Sequence, residues 1–368
     1  MASVEWRPRI KPEHGLYRMP DGRVRIGGAV YGVAAEVDDP DGLVWAMLSA
    51  ADGTRSVEDI AAHVTATFEH EEPATVIASV QRFIDAGYLD NTAAEPPGRI
   101  TPRDQQRYDR GRQFYRWLDL RRRDNSWEPQ LRLKQARVTI LGLGGTGGTA
   151  ALALAGSGIG RIHCVDGDTV ELSNLNRQSQ FDEADIGRPK AEATASRLRR
   201  LNSDIEVTSA TLTITQPAQL PQLTRDCDVF LLCADQPGEI RAWVNEACLD
   251  TGTPWVDAGY HGPAVRASLY TPGHGPCYEC EWRHEHDRHR DTLPERPYST
   301  SRGSAAAVTA VSAGLSGHLA AHLTVALITG VPAVEPGRPI GINLAVQEAH
   351  DIPPYGKHPR CPACGGRP

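Results

Sequence analysis

The sequence predicts an α/β protein with a doubly wound, mostly parallel sheet and a small second domain in front of it. Three observations predict this. Apolar runs of strand length alternate with helical patterns between residues 138 and 270, as in a parallel sheet with helices on both faces. A glycine-rich turn joins the first of these strands to a helix. The first hundred residues follow another pattern and end in a Pro/Gly-rich connection, and 368 residues are enough for two domains.

In the N-terminal part, Leu16 to Arg18 and Val24 to Ile26 read as strands around the turn Pro20-Asp21-Gly22. Helical patterns follow at Gly42 to Ser49, Val57 to Thr67 and Pro73 to Ala86. These two strands and three helices place a domain at residues 1–90. Residues 91–102, with Pro96-Pro97-Gly98, read as a linker, leaving 103–368 as the second domain. There Val138 to Leu141 and Arg161 to Val165 are strands, Ile186 to Leu201 is a helix, and Ile205 to Ser209 and Val229 to Cys233 are strands. Glu239 to Asp250 is a helix, and Trp255 to Tyr260 and Val265 to Tyr270 are strands. The Ala-rich run Ser304 to Ile328 reads as a buried helix, since His318 and His322 and many small residues interrupt it.

Gly142, Gly144 and Gly147, with Gly145 between them, form G-x-G-x-x-G between strand and helix. Such a turn is Rossmann-like: it lets backbone approach phosphate and points a helix N-terminus at it. Asp166 ends the next strand 24 residues after Gly142, near the spacing of about 20 expected of a ribose-binding acid. Asp168, Ser173, Asn174, Asn176 and Arg177 follow, with Lys190 beyond them. Hydride transfer has little need of cations gathered at the phosphates. Nucleotidyl transfer needs them to offset charge on the phosphorus oxygens, which favours ATP as a reactant.

Of eight cysteines, four form two C-x-x-C pairs, Cys277 with Cys280 and Cys361 with Cys364. Two such pairs make a closed four-thiolate shell for a structural zinc. Disulfides or a redox pair are the alternatives, disfavoured because the sequence shows no secretory signal and the other cysteines look unpaired. Cys164, Cys227, Cys233 and Cys248 read as reduced packing residues.

Taken in order, GLGGTGG, DGDTVELSNLNRQ, GRPKAEA and CADQ resemble the ubiquitin-activating superfamily in its bacterial ThiF, MoeB and MccB branch, whose members adenylate a C-terminal carboxylate. The resemblance implies that Gly142, Gly144, Gly145, Gly147, Asp168 and Ser173 line the nucleotide and that Asp166 holds ribose. It implies that Asn174, Arg177 and Lys190 contact the phosphates and that Asp235 binds Mg2+, with Gln236 where many members have Asn. Arg107-Tyr108-Asp109-Arg110 resembles the family's R-Y-x-R element, which implies a homodimer with Arg110 reaching the partner's site. It further implies that the zinc ties the C-terminal tail to the body.

From Glu281 to Ala310, where many members carry a cysteine that forms a thioester or persulfide, this chain has none. The segment RHEHDRHRDTLPERPYSTSRGS reads as a polar loop, in which His284, His286 and His289 are solvated rather than metal-bound. The reaction is therefore expected to stop at the acyl-adenylate or to pass it to a nucleophile other than cysteine.

The first ninety residues resemble PqqD-like domains, winged-helix modules that recognise leader peptides of ribosomally made products. Winged helices also bind DNA, but a net charge of -7 argues against nucleic acid. Neither a signal peptide nor an uncharged run of about 20 residues is visible, so a cytoplasmic protein without a membrane segment is expected. The expected function is ATP-dependent adenylation of the C-terminal carboxylate of a ribosomally synthesised peptide. Two alternatives stay open: adenylation of a ubiquitin-like sulfur carrier, and a non-catalytic leader-peptide-binding partner of a heterocycle-forming enzyme.

Overall fold

The computed structural model describes residues 5–289, 307–347 and 352–365. The chain divides into two compact units, residues 1–132 and 133–368.

The N-terminal unit contains β1 (Pro8–Ile10), β2 (Leu16–Arg18), β3 (Val24–Ile26), β4 (Ala35–Val37), α1 (Leu43–Ala50), α2 (Val57–Thr65), α3 (Pro73–Asp85), β5 (Leu89–Asn91) and α4 (Pro102–Leu118); α5 (Glu128–Gln135) runs across the division. β2, β3 and β4 form an antiparallel sheet, and β1 pairs with β5. The two strands read from the sequence are thus five. The three missed are each three residues long, too short for alternation to declare itself. Val24, Ile26, Leu48, Ile60, Val76, Ile84 and Leu89 fill the core.

Helix α4 begins in a reciprocal capping box between Thr101 and Asp104, with Pro102 in its first turn. Its far end is tied into this same unit. Arg116 pairs with Glu13 and, at 3.2 Å, with Asp90, and the buried Lys11 ammonium donates to the Asp119 carbonyl at 2.6 Å. So the basic stretch after the linker is only partly a solvated face: Arg116 is 8% exposed.

The C-terminal unit contains β6 (Arg137–Leu141), α6 (Gly145–Ser157), β7 (Arg161–Val165), α7 (Lys190–Leu201), β8 (Glu206–Ala210), α8 (Leu220–Arg225), β9 (Val229–Leu232), α9 (Ile240–Thr251), β10 (Trp255–His261), β11 (Ala264–Tyr270), α10 (Tyr278–His289), α11 (Ala310–Thr329) and β12 (Ile340–Asn343). The sheet order is β12-β11-β10-β9-β6-β7-β8. The five strands from β8 to β10 are parallel, and β11 and β12 run antiparallel, so the sheet is mixed. From β6 the chain winds outward through β7 and β8, then returns to β9 and β10 on the other side. The strand order therefore reverses between β6 and β9, and a crevice for ligand opens at the carboxyl ends of these strands.

Two expectations are corrected. The helix expected from Ile186 starts at Lys190, because Gly187 takes φ +85° and Pro189 stands in extended backbone as its N-cap. The polar segment after Glu281 is helical through His289, since α10 spans Tyr278–His289; residues 290–304 of the expected loop lie outside the described residues. β12 was not foreseen. Helix α11 is long and apolar enough to cross a membrane, but half of its most apolar stretch is buried within the protein. It lies against α6: Gly317 would carry a Cβ 2.5 Å from the Thr146 carbonyl oxygen, so only glycine permits the approach.

Candidate nucleotide site and a four-cysteine cluster

The turn after β6 is built by exclusion of side chains. Gly142 takes φ +90°, and a Cβ there would stand 2.6 Å from the Ala234 amide nitrogen after β9. At Gly147 a Cβ would lie 1.8 Å from the Gly142 carbonyl oxygen. The turn is thereby pressed against the end of β9, and α6 starts from Gly144 with no side-chain cap. Its first N–H groups are left to a ligand, and the positive end of the helix dipole favours an anion there.

Asp166 at the end of β7 locks the turn from the other side. Its Oδ2 accepts from the Leu143 amide at 2.6 Å and its Oδ1 from the Asp168 amide at 2.8 Å. Burial still raises its pKa above the ordinary carboxylate value, against the pull of those amides and of Lys190. The Lys190 ammonium, in the first turn of α7, is held at 2.9 Å from Asp168 Oδ2, the lysine buried and the aspartate exposed.

The segment after Asp168 folds back over the turn. Asn174 is buried and its Oδ1 accepts from the Glu171 amide at 3.0 Å, while the exposed Ser173 hydroxyl donates to Glu171. The Arg177 backbone packs on Gly145, and its guanidinium donates to the Ser173 carbonyl at 2.8 Å and to Asn176 at 2.9 Å. Asp235 and Gln236 are exposed just beyond β9. The structure thus links Gly142, Gly145, Asp166, Asp168, Ser173, Arg177 and Lys190 through direct contacts at the carboxyl ends of β6 and β7, with Gly144, Gly147 and Asn174 in the same segments and Asp235 and Gln236 just beyond β9. Arg110 is exposed on α4, in the other unit.

Three residues of the site were missed. Gln180 donates to the Leu143 carbonyl at 2.8 Å, bracing the turn from behind. Gln178 is buried with its side-chain oxygen unpartnered, and its amide nitrogen faces Gly144. Both stand in the run NRQSQ, whose alternating amides were the available signal. Tyr260 on β10 is half-buried beside the Arg177 guanidinium and the Asp235 carboxylate; nothing in its local sequence marks it.

The four cysteines expected to bind metal do converge. Cys277 Sγ lies 3.8 Å from Cys280 and 3.6 Å from Cys361, and Cys280 Sγ lies 3.4 Å from Cys364. All four are buried, with every sulfur within 4.8 Å of the others. Tetrahedral ligands at about 2.3 Å from a metal would stand about 3.8 Å apart, so the cluster fits a metal ion. Hydrogen bonds from Cys277 and from the His358 amide pull the Cys280 thiol down, towards the thiolate a metal requires. The tail also pairs with α10 outside the cluster: Tyr355 donates to Glu281, and His358 lies 3.0 Å from Asp287. Among the described residues no other group of ligands gathers in this way. His284 instead faces the Gly356 carbonyl, and His286 stacks on Trp282. Cys164, Cys227 and Cys248 are buried free thiols and Cys233 is half-buried, as expected of packing residues.

The reversed strand order, the glycine turn and the acid at the end of β7 define a nucleotide-binding protein of the doubly wound α/β class. More narrowly, the chain belongs to the ThiF family, whose model matches residues 115–363. The sulfur carrier protein ThiS adenylyltransferase of Escherichia coli is 34% identical over 66% of this chain and 91% of its own length. Protein HesA, vegetative, of Trichormus variabilis is 32% identical over 65% of this chain and 84% of its own. Among solved structures, E. coli MccB with ATP matches with a TM-score of 0.74 at 26% identity, covering 97% of this chain and 99% of that one. The microcin C7 biosynthetic enzyme MccB in complex with N-formylated MccA matches with a TM-score of 0.71 at 25% identity over the same shares.

Proposed function

We propose that this chain is an ATP-dependent adenylyltransferase that activates the C-terminal carboxylate of a ribosomally synthesised peptide and releases pyrophosphate. The observation that carries this reading is the likeness to MccB along 97% of the chain, in a protein captured both with ATP and with the MccA peptide. The relative named for a sulfur carrier matches a shorter share, 66% of the chain, which ranks a sulfur carrier as the second substrate class. A purely binding role is disfavoured by the assembled cations and acids at the crevice.

The chemistry follows from charge. A carboxylate oxygen attacks the α-phosphorus of ATP, a new O–P bond forms, and the bond to pyrophosphate breaks. The nucleophile is already ionised at neutral pH, so no general base is needed, and the site's work is positioning and electrostatics. Arg177 and Lys190 offset charge on the phosphates while Asp166 holds the ribose. Asp235 is the residue to hold Mg2+, which when bound would neutralise phosphate charge. The four cysteines would hold Zn2+ in a structural role, having no open position for water. The family resemblance adds a cytoplasmic homodimer in which Arg110 of one copy serves the other's site. It also adds a PqqD-like, winged-helix N-terminal domain at residues 1–90 that takes a leader peptide.

The test is ATP–pyrophosphate exchange against candidate peptides and sulfur carriers. Exchange driven by a peptide with a free C-terminus supports the reading; exchange driven only by a sulfur carrier moves the substrate to the second class; none with either sinks it.

A further inference from the structure

A small recess in the N-terminal unit is walled by Lys11, Asp90, Asn91, Arg116, Asp119 and Ser126, among others. Its acids are already matched. Asp90 pairs with Arg9 at 3.0 Å and with Arg116 at 3.2 Å, and Arg116 also holds Glu13. Asp119 takes Arg121 at 3.3 Å on one oxygen and Arg123 at 2.6 Å on the other, and Arg123 reaches Glu128 at 3.3 Å. Four arginines thus meet four acids, and within this cluster Lys11 is the charge left over. Its ammonium is buried, the residue being 4% exposed, and donates at 2.6 Å to the Asp119 carbonyl. Among the described residues no carboxylate oxygen lies within 4.0 Å of it.

The wall also holds donors that lack an acceptor. An ammonium has three N–H donors and no lone pair, so two of those on Lys11 remain unused. Asn91 accepts from the Arg7 and Ala93 amides at 3.0 and 3.1 Å through its side-chain oxygen, which assigns its orientation. Its NH2 then meets no acceptor among the described residues. The Ser126 oxygen accepts from Arg112 at 3.1 Å, and its own proton is likewise unmatched among them. A buried charge and buried donors without partners are costly, and burial pushes the Lys11 ammonium down to about 8.

The missing partner is an anion carrying one charge. The recess has about 20 Å³ of room, on the scale of one or two oxygen atoms, so a nucleotide or a peptide chain does not enter whole. A phosphate dianion would set a second negative charge against Asp90 and Asp119. A carboxylate brings a single charge and two acceptor oxygens.

We propose that this recess binds a carboxylate, whose oxygens accept from the Lys11 ammonium, the Asn91 NH2 and the Ser126 hydroxyl while the rest of the ligand stays outside. The site belongs to the N-terminal unit and does not depend on the adenylation reading. The groups around Lys11 are Asp119, Asp90, Glu13 and Arg116, with His14 kept neutral by burial. Between pH 7 and 9 the acids stay ionised and arginine stays charged, so Lys11 is the group that titrates. A bound anion favours its charged form, and affinity therefore falls as pH rises through about 8.

The experiment is thermal denaturation of the whole protein, titrated separately with sodium acetate, sodium chloride and inorganic phosphate. At pH 7 acetate is expected to raise the midpoint saturably, as a ligand of the folded state does, with an apparent affinity about tenfold weaker at pH 9. Ser126→Ala, which keeps the charge, should weaken that affinity about tenfold, and Lys11→Met should abolish the saturable response. Circular dichroism checks that both variants are folded. An acetate response equal in Lys11→Met and wild type, or one that never saturates, overturns the site. A saturable rise with chloride or phosphate at least as tight as with acetate overturns the carboxylate as its ligand.

Discussion

The carboxylate of Asp166 accepts a hydrogen bond at 2.6 Å from the backbone amide of Leu143, inside the glycine turn. One side chain thus fixes the shape of the glycine turn from the end of the neighbouring strand. In Asp166→Asn the new NH2 must face either the Leu143 or the Asp168 amide, donor against donor, as the carboxylate accepts from both. The ATP Kd is expected to rise at least about tenfold, in line with the cost of a buried unmatched donor. Calorimetry that returns the wild-type Kd would contradict this role.

Lys190 and Arg177 are expected to act where charge accumulates on the phosphates. Replacing either with alanine should cost about 10²- to 10³-fold in exchange rate, by comparison with removal of one oxyanion donor, with the circular dichroism spectrum retained. Exchange at the parental rate in Lys190→Ala would remove that residue from the mechanism.

The turn glycines should tolerate no side chain. Gly147→Ala forces a Cβ to 1.8 Å from a backbone oxygen, and a destabilisation above about 3 kcal/mol is expected. Gly156→Ala, also in α6, meets nothing within 4 Å and should stabilise by about 0.5 kcal/mol through helix propensity. Chemical denaturation of the two variants should move in opposite directions; a like shift would deny that the close approach is what demands glycine at 147.

Metal analysis is expected to return one zinc per chain, and Cys280→Ser or Cys361→Ser should abolish it. Stripping the metal should expose the tail at residues 352–365 to protease first, because the cluster is what joins that segment to Cys277 and Cys280. A metal-free protein with an equally protected tail would assign the holding role to Tyr355 and His358 instead.

Lys11 predicts a pH dependence of stability. Burial pushes its ammonium down from 10.5 to about 8, outweighing the attraction of Asp119 and Asp90. Between these values the unfolded chain binds more protons than the folded one, so this group makes stability rise with pH from about 8 to about 10.5. The whole effect is about 3 kcal/mol. Urea denaturation at pH 7.5 and 10 should show this rise in wild type, and Lys11→Met should lose it; equal slopes in the two proteins would exclude a buried, titrating Lys11.

Much of the site was legible because its chemistry is local in sequence. Gly142 to Gly147, Asp166 and the run from Ser173 to Arg177 lie within forty residues of one another, where strand, turn and helix periods identify each part. Arg7 to Asn91 illustrates the opposite case. Strands β1 and β5 pair across the whole N-terminal unit, and no three-residue stretch announces a partner so distant. α10 was hidden for another reason: its residues are so polar and so often histidine that no apolar face appears, and its helix is held by contacts to the tail through Glu281, His284 and Asp287.

By itself, then, the sequence determined the glycine turn, the acid that ends the next strand, the two cysteine pairs and the alternation that makes a doubly wound sheet, because glycine, charge and thiolate at fixed spacing act through local geometry. Only the tertiary structure decided that the sheet is mixed and that helix α4 is tied by Arg116 and Lys11 into the N-terminal unit. It alone decided that Tyr260 stands beside Arg177 and Asp235. Those relationships depend on which distant strands become neighbours and at what register, and the free energy that selects them comes from burying the assembled faces rather than from any one segment.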